Sequence, residues 1–344
     1  MLVRSFLVTG GAGFIGSNFV DQLIAKGDRV VVLDAMTYAG HKENLEPAWT
    51  KIKFAQGDIS DTSLVSKLLK ENQITHVVNF AAESHVDRSI TDAGSFVRTN
   101  VMGVFSLLQA SLDYWNNLTA QAKESFRFLH VSTDEVFGTL GDEGKFSETT
   151  PYAPNSPYSA SKAGGDHLVR AWFHTYKLPT LTTNCSNNYG PRQFPEKLIP
   201  HMINCALSEK PLPVYGNGRN VRDWIHVEDH CAGIMSAIEK GKPGEAYCFG
   251  GNAERRNIDV VKAICAALDE RKPRSNGKSY EELITYVEDR KGHDWRYAID
   301  DSRAERELGF RRKYQSFEEG LRATVSWYLE NRVWMNAVLA KPKS

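Results

Sequence analysis

Two acidic side chains stand next to each other in the segment HVSTDEVFG, residues 130–138, directly after the apolar run FRFL. Neighbouring residues on an extended strand point to opposite faces, so Asp134 and Glu135 can serve one ligand only where the strand has given way to a loop. What two adjacent acids do at a strand end depends on which other residues reach that place; two solvated loop acids are one interpretation.

A second chemical motif is TGGAGFIG, in which Gly10, Gly13 and Gly16 lie between the first apolar run and the first helical segment. Glycines at this spacing let the backbone approach a pyrophosphate, and the free N–H groups of the helix start attract it. Asp34 ends the next apolar run, where an acid can bind an adenosine ribose and repel a 2′-phosphate. The pattern predicts NAD rather than NADP, with Asp58 as a candidate adenine contact. The alternative is a glycine-rich turn followed by a surface aspartate.

A third motif is the Y-x-x-x-K pair of Tyr158 and Lys162 in SPYSASKAGGDHLV. Four residues apart on a helix, the two side chains share one face. A phenol with a reference pKa of about 10 is a poor base at neutral pH, but we expect the ammonium and a nicotinamide ring to favour its phenolate. Tyr158 could then take a proton from a hydroxyl group. An exposed tyrosine and lysine on an ordinary helix are the alternative.

Apolar runs alternate with segments of helical period through the first half of the chain. The runs FLVTG, RVVVLD, KIKFAQGD, THVVNFAA and RFLHVST predict short buried strands. Between some of them, FIGSNFVDQLIAKG and SFVRTNVMGVFSLLQASLDYW predict helices. This alternation predicts an α/β fold, a Rossmann-type doubly wound parallel sheet that brings the strand ends, and so the three motifs, to one edge.

The pattern changes in the second half, where several prolines interrupt it and the helical segments KLIPHMINCALSEK, NIDVVKAICAALDE and SFEEGLRATVSWYLENRVW follow a different layout. We expect an NAD-binding domain over residues 1–190, to which about 224–250 return as a helix and a strand. A smaller substrate-binding lobe is expected over residues 191–223 and 251–344.

Composition narrows the classes of protein. The 344 residues are 41% hydrophobic and 24% charged, with 42 basic and 42 acidic side chains, so neither a nucleic-acid partner nor a membrane surface is indicated. No apolar stretch approaches the roughly 20 residues of a membrane helix. The five cysteines are widely spaced without C-x-x-C, which predicts a reducing cytoplasm and neither disulfides nor a zinc site. His85, His130 and His226 lack metal-ligand spacing, so no metal is expected.

Taken together, the motifs resemble a known family. GGAGFIG, AAESHVDRSI, STDEVFG, YSASK, NCSNNYGPRQFPEKLIP and GRNVRDWIHVEDH are similar to the extended short-chain dehydrogenase/reductases and, among them, to the dTDP-glucose 4,6-dehydratase family. The acid-acid dipeptide is the sharpest element, because the related sugar-nucleotide 4-epimerases share the other motifs but lack it. One departure is Lys291, where the family usually has a proline inside DR-x-GHD.

The resemblance implies a reaction in three steps, with dTDP-glucose as substrate and dTDP-4-keto-6-deoxyglucose and water as products. Tyr158 would deprotonate the C4 hydroxyl while NAD takes the hydride, with Thr133 bonded to that oxygen and Lys162 holding the ribose. Glu135 would then remove the C5 proton while a protonated Asp134 protonates the departing C6 hydroxyl. Hydride return to C6 completes the cycle, which belongs to deoxysugar nucleotide biosynthesis, for example that of rhamnose.

The resemblance also implies further site residues, which are matched by their positions relative to the shared motifs. The NAD pocket would include Phe14, Ile15, Ile59, Ala81, Ala82, Glu83, Ser84, Thr99 and Asn188, together with Tyr158, Lys162, Asp58 and the glycine motif. The substrate would meet Ser84, Thr133, Asn187, Lys197, Leu198, Pro213, Tyr215, Arg222, Asn257, Arg290 and His293. Several of these, such as Ala81 and Ala82, are equally suited to a plain core.

Other classes of function stay open at this point. A dehydratase or epimerase for another nucleotide sugar, such as CDP-glucose or GDP-mannose, would share most of the chemistry. A non-catalytic NAD-sensing protein would keep the glycine motif but not need the tyrosine, lysine or acids. We also expect a homodimer, because the helices at 95–115 and 157–176 carry more apolar residues than one sheet face can cover and the family pairs these helices.

Overall fold

The chain was analysed as a computed structural model that describes residues 4–289 and 294–340. Within these ranges it contains twelve strands: β1 Ser5–Thr9, β2 Arg29–Asp34, β3 Lys53–Gln56, β4 His76–Asn79, β5 Arg127–Thr133, β6 Thr180–Cys185, β7 Asn187–Tyr189, β8 Leu212–Tyr215, β9 Val221–His226, β10 Ala246–Phe249, β11 Glu254–Arg256 and β12 Ile284–Val287.

The same ranges contain twelve α-helices: α1 Phe14–Ala25, α2 Thr62–Glu71, α3 Val86–Thr91, α4 Ala93–Val97, α5 Val104–Asn116, α6 Ala120–Ser125, α7 Pro157–Tyr176, α8 Leu198–Leu207, α9 Val227–Lys240, α10 Asn257–Arg271, α11 Phe317–Glu330 and α12 Arg332–Ala340. None of these helices is both long enough and apolar enough to span a bilayer.

Seven strands form one parallel sheet in the order β3-β2-β1-β4-β5-β6-β10. Alternate residues of β1 serve opposite faces: Phe6 and Val8 join a core with α1 and α9, whereas Leu7 joins a core with α2, α5 and α7. The sheet is therefore covered by helices on both sides, and the predicted doubly wound fold is confirmed. Its strand order reverses between β1 and β4, where such folds bind ligands at the carboxyl ends of the strands.

A second core lies beside the main sheet. It is built on α8, α10 and α11, next to the three-stranded sheet β11-β9-β7 and the pair β12-β8. Along the chain, α9 and β10 lie between β9 and β11. Helix α9 packs against α1, and β10 joins the main sheet by pairing with β6. The division of the chain at the predicted domain boundaries stays a prediction.

Three local details differ from the predictions. The helix predicted at 95–115 contains a π-helical segment at Arg98–Gly103 between α4 and α5, a widened turn of the kind often found at functional sites. The helix predicted at 316–334 ends at Glu330, and α12 begins at Arg332. Strand β3 ends at Gln56, so Asp58 lies beyond it and accepts a hydrogen bond from the Ser60 N–H at 2.8 Å, in a turn that leads to α2.

Candidate active site

One cleft of about 340 Å³ opens at the carboxyl ends of the central strands. The loops that follow β1, β4, β5 and β6 all contribute to its lining. Every catalytic and cofactor-binding residue predicted from the sequence lies in this lining: Gly10, Gly13, Phe14, Ile15, Gly16, Asp34, Asp58, Ile59, Ala81, Ala82, Glu83, Ser84, Thr99, Thr133, Asp134, Glu135, Tyr158, Lys162 and Asn188. Segments distant in the sequence therefore meet at one place.

The glycine turn at the start of α1 is shaped for a close approach of its backbone. Gly10 has φ +66, and a Cβ there would lie 2.6 Å from the Ala81 nitrogen. A Cβ on Gly16 would lie 2.4 Å from the Gly10 carbonyl oxygen. Gly13 precedes α1 and no side chain caps this helix, so its first N–H groups are available to an anion. These features fit the pyrophosphate of a dinucleotide.

Asp34 is held rigidly at the end of β2. Its two carboxylate oxygens accept hydrogen bonds from the Ala12 N–H at 2.9 Å and the Met36 N–H at 2.8 Å. The side chain therefore joins the glycine turn to the loop after β2, and it lines the cleft as a fixed negative charge. A charge at this position suits a ribose hydroxyl and disfavours a phosphate.

The acid pair lies where β5 ends. The strand stops at Thr133, and Asp134–Phe137 form a 3₁₀ turn, so the expected change from strand to loop is confirmed. The Thr133 hydroxyl accepts from the Glu135 N–H at 3.3 Å and donates to Asp134 Oδ1 at 3.3 Å. Both acids consequently line the same cleft although they are adjacent in sequence.

Asp134 is almost fully buried, at 2% exposure. Burial, and after it the charge of Glu135, raise the pKa of Asp134 well above its ordinary value. Its Oδ2 atom has no hydrogen-bond partner among residues 4–289 and 294–340. A protonated Asp134 in the lining of the cleft can act as a proton donor.

Tyr158 and Lys162 lie one turn apart on α7, which begins with a capping box of Ser156 and Ser159. Lys162 is buried and donates from Nζ to the Val131 carbonyl at 2.7 Å. Burial, followed by the charge of Glu135, raises the pKa of Tyr158 well above its ordinary value. The described residues raise this pKa through burial and nearby acids, and the expectation that the ammonium and a nicotinamide ring together favour the phenolate stays a prediction.

The predicted substrate residues divide into two sets. Ser84, Thr133, Asn187 and Lys197 line the cleft, whereas Leu198, Pro213, Tyr215, Arg222 and Asn257 do not belong to its lining and lie on the elements around the second core. Among these residues, the charge of Arg222 acts on the pKa of Asp134 and lowers it. Its guanidinium lies 4.3 Å from the Tyr297 ring centroid. Arg290, Lys291 and His293 lie outside the described residues.

Several residues of the cleft were missed from the sequence, notably Tyr38, Phe194 and Glu196. The Tyr38 hydroxyl lies 3.4 Å from Ser84 Oγ, and Phe194 stacks on His41 at 5.2 Å between ring centroids. These side chains come from the loops that follow β2 and β7. Tyr38 stands four residues after Asp34, so its proximity to a predicted ligand residue was the available signal.

The described residues also bear on the question of a metal site. In the described part of the chain, no group of three or more histidine, cysteine, aspartate or glutamate side chains could hold a metal ion. All five cysteines are buried and unpaired.

A doubly wound sheet with a glycine turn, a Tyr/Lys pair on one helix and both in one cleft defines a protein of the short-chain dehydrogenase/reductase class. The family model described as GDP-mannose 4,6 dehydratase matches residues 7–324. A dTDP-glucose 4,6-dehydratase of Xanthomonas campestris pv. campestris is 59% identical over 339 residues, which are 98% of this chain and 96% of that protein. The dTDP-glucose 4,6-dehydratase 1 of Escherichia coli is 51% identical, covering 96% of this chain and 94% of that protein. The chain belongs to the dTDP-glucose 4,6-dehydratase family, as predicted.

Solved structures agree with this assignment. A dTDP-glucose 4,6-dehydratase from Streptomyces venezuelae, solved with NAD bound, superposes with a TM-score of 0.88 at 44% identity and covers 97% of this chain and 100% of that one. A UDP-glucose 4-epimerase from Thermotoga maritima superposes with a TM-score of 0.85 at 27% identity, covering 96% of this chain and 100% of that one. The fold is thus shared with epimerases, while the identity is higher to the dehydratase.

Proposed function

We propose that this protein converts dTDP-glucose into dTDP-4-keto-6-deoxyglucose and water, as a hydro-lyase of deoxysugar nucleotide biosynthesis. The observation that carries the proposal is the acid pair: Asp134 and Glu135 share one cleft with Tyr158, and burial favours the neutral form of Asp134. An elimination needs a base and an acid near the same sugar, and this pair supplies both.

NAD is the proposed cofactor. The glycine turn fits its pyrophosphate, Asp34 fits its adenosine ribose, and Lys162 would hold the ribose next to the nicotinamide. When bound, NAD would supply the acceptor for the C4 hydride and its later donor to C6. The relative from Streptomyces venezuelae, which contains NAD, supports this assignment.

The oxidation step would use the helix α7 and the end of β5. Tyr158 would take the proton of the C4 hydroxyl, and Thr133 would hydrogen-bond to that oxygen. Because burial and Glu135 raise the pKa of Tyr158, a positive charge nearby must favour its phenolate for this step. A protonated Lys162, one helical turn away, can provide it together with the nicotinamide ring.

The elimination step would use the two acids in separate roles. After oxidation the ketone at C4 makes the C5 proton acidic, and Glu135 would remove it. Asp134 would give its proton to the departing C6 hydroxyl, which leaves as water. The raised pKa of Asp134 supports this division, since an acid must still carry its proton at neutral pH.

Recognition of the nucleotide is the least constrained part of the proposal. Asn187 and Lys197 reach the cleft, and Arg222 is suited to phosphate oxygens by its planar fork. Tyr215 is half exposed and offers a ring that can stack on a base. The relatives that are named for dTDP-glucose support thymine as that base.

A panel of substrates tests the proposal. The purified protein would be incubated with dTDP-glucose, CDP-glucose, UDP-glucose and GDP-mannose, and the products analysed by mass spectrometry for loss of water. We expect the dehydrated keto sugar from dTDP-glucose. Dehydration of another sugar alone would reassign the nucleotide, inversion at C4 without loss of water would indicate an epimerase, and NAD binding without any product would indicate a sensor.

A homodimer is the proposed assembly. On the helical segments at 93–116, the side chains of Val97 and Met102 are about half exposed, as is Tyr176 at the end of α7. Such apolar side chains on adjacent helices suit a second copy of the chain. We expect the double variant Val97→Glu/Met102→Glu to become monomeric by light scattering, with Val333→Glu on α12 as the control. A monomeric native protein would contradict the proposal.

The cytoplasmic location also stays a prediction.

A further inference from the structure

Asp166 is a buried acid directly behind the cleft, on α7. Its Oδ2 atom accepts hydrogen bonds from the Ser132 hydroxyl at 2.7 Å and the Tyr152 hydroxyl at 2.9 Å. Its Oδ1 atom lies 3.4 Å from Nε2 of His130. Burial opposes ionisation of Asp166, but its contacts with His130, Lys162 and Ser132 outweigh burial and lower its pKa. Asp166 is consequently a carboxylate in the protein interior.

The histidine beside Asp166 does not neutralise this charge. Nδ1 of His130 lies 2.9 Å from Nδ2 of Asn79, whose Oδ1 accepts from the Thr9 hydroxyl. An amide nitrogen can only donate, so Nδ1 is the acceptor and the ring proton sits on Nε2, facing Asp166. Burial also lowers the pKa of His130, which favours the uncharged ring. The pair of His130 and Asp166 therefore carries one net negative charge.

The cation nearest to this charge on the same helix face is Lys162. It stands four residues before Asp166, one turn away. Burial lowers the pKa of Lys162, and the charge of Asp166 is the largest effect that opposes this. His130, whose ring is neutral, and Cys185, whose burial raises the thiol pKa to about 12, are further titratable groups next to Lys162, and Tyr158 lies one helical turn before it. Asp166 is thus a carboxylate that can keep Lys162 charged.

We propose that Asp166 is the buried counter-charge that keeps Lys162 protonated, and so is a positioning residue of the reaction. Lys162 itself donates to the Val131 carbonyl. Asp166 therefore acts on Lys162 by its charge. The role in the reaction rests on the proposed function, since a charged Lys162 is what favours the Tyr158 phenolate and holds the ribose. The protonation of Lys162 itself does not depend on that function.

The direct test is the titration of Lys162 in the complete protein. Lysines would be labelled with ¹³C at Cε, the Lys162 signal identified by its loss in Lys162→Arg, and its shift followed by NMR between about pH 6 and 11. Lys162 and Asp166 are both buried and lie one helical turn apart, where opposite charges favour each other's charged form. We therefore expect Lys162 to titrate at least about one pH unit lower in Asp166→Asn. An unchanged titration in the folded variant would overturn the proposal.

Tyr152→Phe is the matched control, because it removes one hydroxyl donor to Asp166 but leaves the carboxylate. We expect it to leave the Lys162 titration close to that of the native protein. A shift as large as that of Asp166→Asn would mean that packing rather than charge sets the protonation of Lys162, which also contradicts the proposal.

A kinetic readout links the charge to the reaction. The rate of NADH formation from substrate would be measured against pH, and its alkaline limb should move to lower pH in Asp166→Asn but not in Tyr152→Phe. A limb that stays in place would remove Asp166 from the reaction. If no sugar is oxidised by the native protein but the NMR shift is present, the proposed function fails while the counter-charge stands.

A second variant covers the case in which Asp166→Asn does not fold. Asp166→Ser removes the charge but keeps a hydroxyl that can hydrogen-bond to Ser132 and Tyr152. The alkaline limb of NADH formation should move to lower pH in this variant, as in Asp166→Asn. An alkaline limb at its native position in the folded variant would overturn the proposal.

Discussion

At the scale of single residues, the acid pair makes the most specific claim. Oxidation at C4 requires neither carboxyl group as a proton carrier, so Asp134→Asn and Glu135→Gln should both still form NADH from substrate. Elimination should fall by about 10²- to 10⁴-fold in each. In Glu135→Gln the exchange of the C5 hydrogen with deuterated solvent should fall equally, because the base is missing.

A substrate with fluoride at C6 separates the two roles, because fluoride leaves with little protonation. Asp134→Asn should recover much of its elimination rate with this substrate, while Glu135→Gln should not. Equal recovery in both variants would show that the acid and the base are not divided in this way. Loss of NADH formation in both would mean that the pair positions the substrate instead.

The raised pKa of Asp134 also has a consequence for stability. Between its unfolded and folded pKa values, unfolding releases a proton from Asp134, so this residue lowers the free energy of unfolding as pH rises. Asp134→Asn removes that effect. We expect the variant to melt higher than the native protein by roughly 2 °C or more at pH 7, the shift that about 1 kcal/mol produces in a large chain. The difference should shrink towards pH 4 in differential scanning fluorimetry, and a difference independent of pH would contradict the assignment.

At the scale of elements, the turn between β1 and α1 has little room for a larger residue. A methyl group at Gly16 would lie 2.4 Å from the Gly10 carbonyl oxygen, so Gly16→Ala must displace the turn that faces the dinucleotide. Overpacking of this kind costs about 1–3 kcal/mol. We expect a lower melting temperature and a reduced NAD content in the purified variant. Gly141→Ala is the control, since nothing lies within 4 Å of its new methyl group; equal losses in both variants would refute the steric argument.

At the scale of the whole molecule, hydrogen bonds connect α12 to the dinucleotide side of the cleft. Nε1 of Trp334 donates to Asn44 Oδ1 at 2.8 Å, and Nδ2 of Asn44 donates to the carbonyl of Ala12 in the glycine turn at 2.8 Å. Arg192 donates to the Asn44 carbonyl at 2.7 Å. Helix α12 and Arg192 thereby support the turn that would hold the pyrophosphate.

Trp334→Phe should weaken this connection. The loss of one hydrogen bond costs about 1 kcal/mol, which corresponds to a severalfold faster dissociation of NAD if the bond supports the bound state. The rate would be measured by displacement of NAD with a fluorescent analogue. Trp115→Phe, which loses a hydrogen bond to the nearby Lys123 carbonyl, is the control. Equal rates in Trp334→Phe and the native protein would show that α12 does not support the cofactor site.

Motifs along the chain predict the parts of this protein whose geometry is local. The glycine turn with Asp34 follows from one strand-turn-helix unit, the Tyr158/Lys162 pair from helical spacing, and the fold class from alternating apolar runs. Which distant side chains meet is visible in the folded structure alone. It brought Tyr38 to the cleft and enclosed Asp166, because these contacts depend on the packing of separate segments. It also buried Tyr158, which raises the pKa of its hydroxyl, since burial arises from the whole fold and no spacing along the chain encodes it.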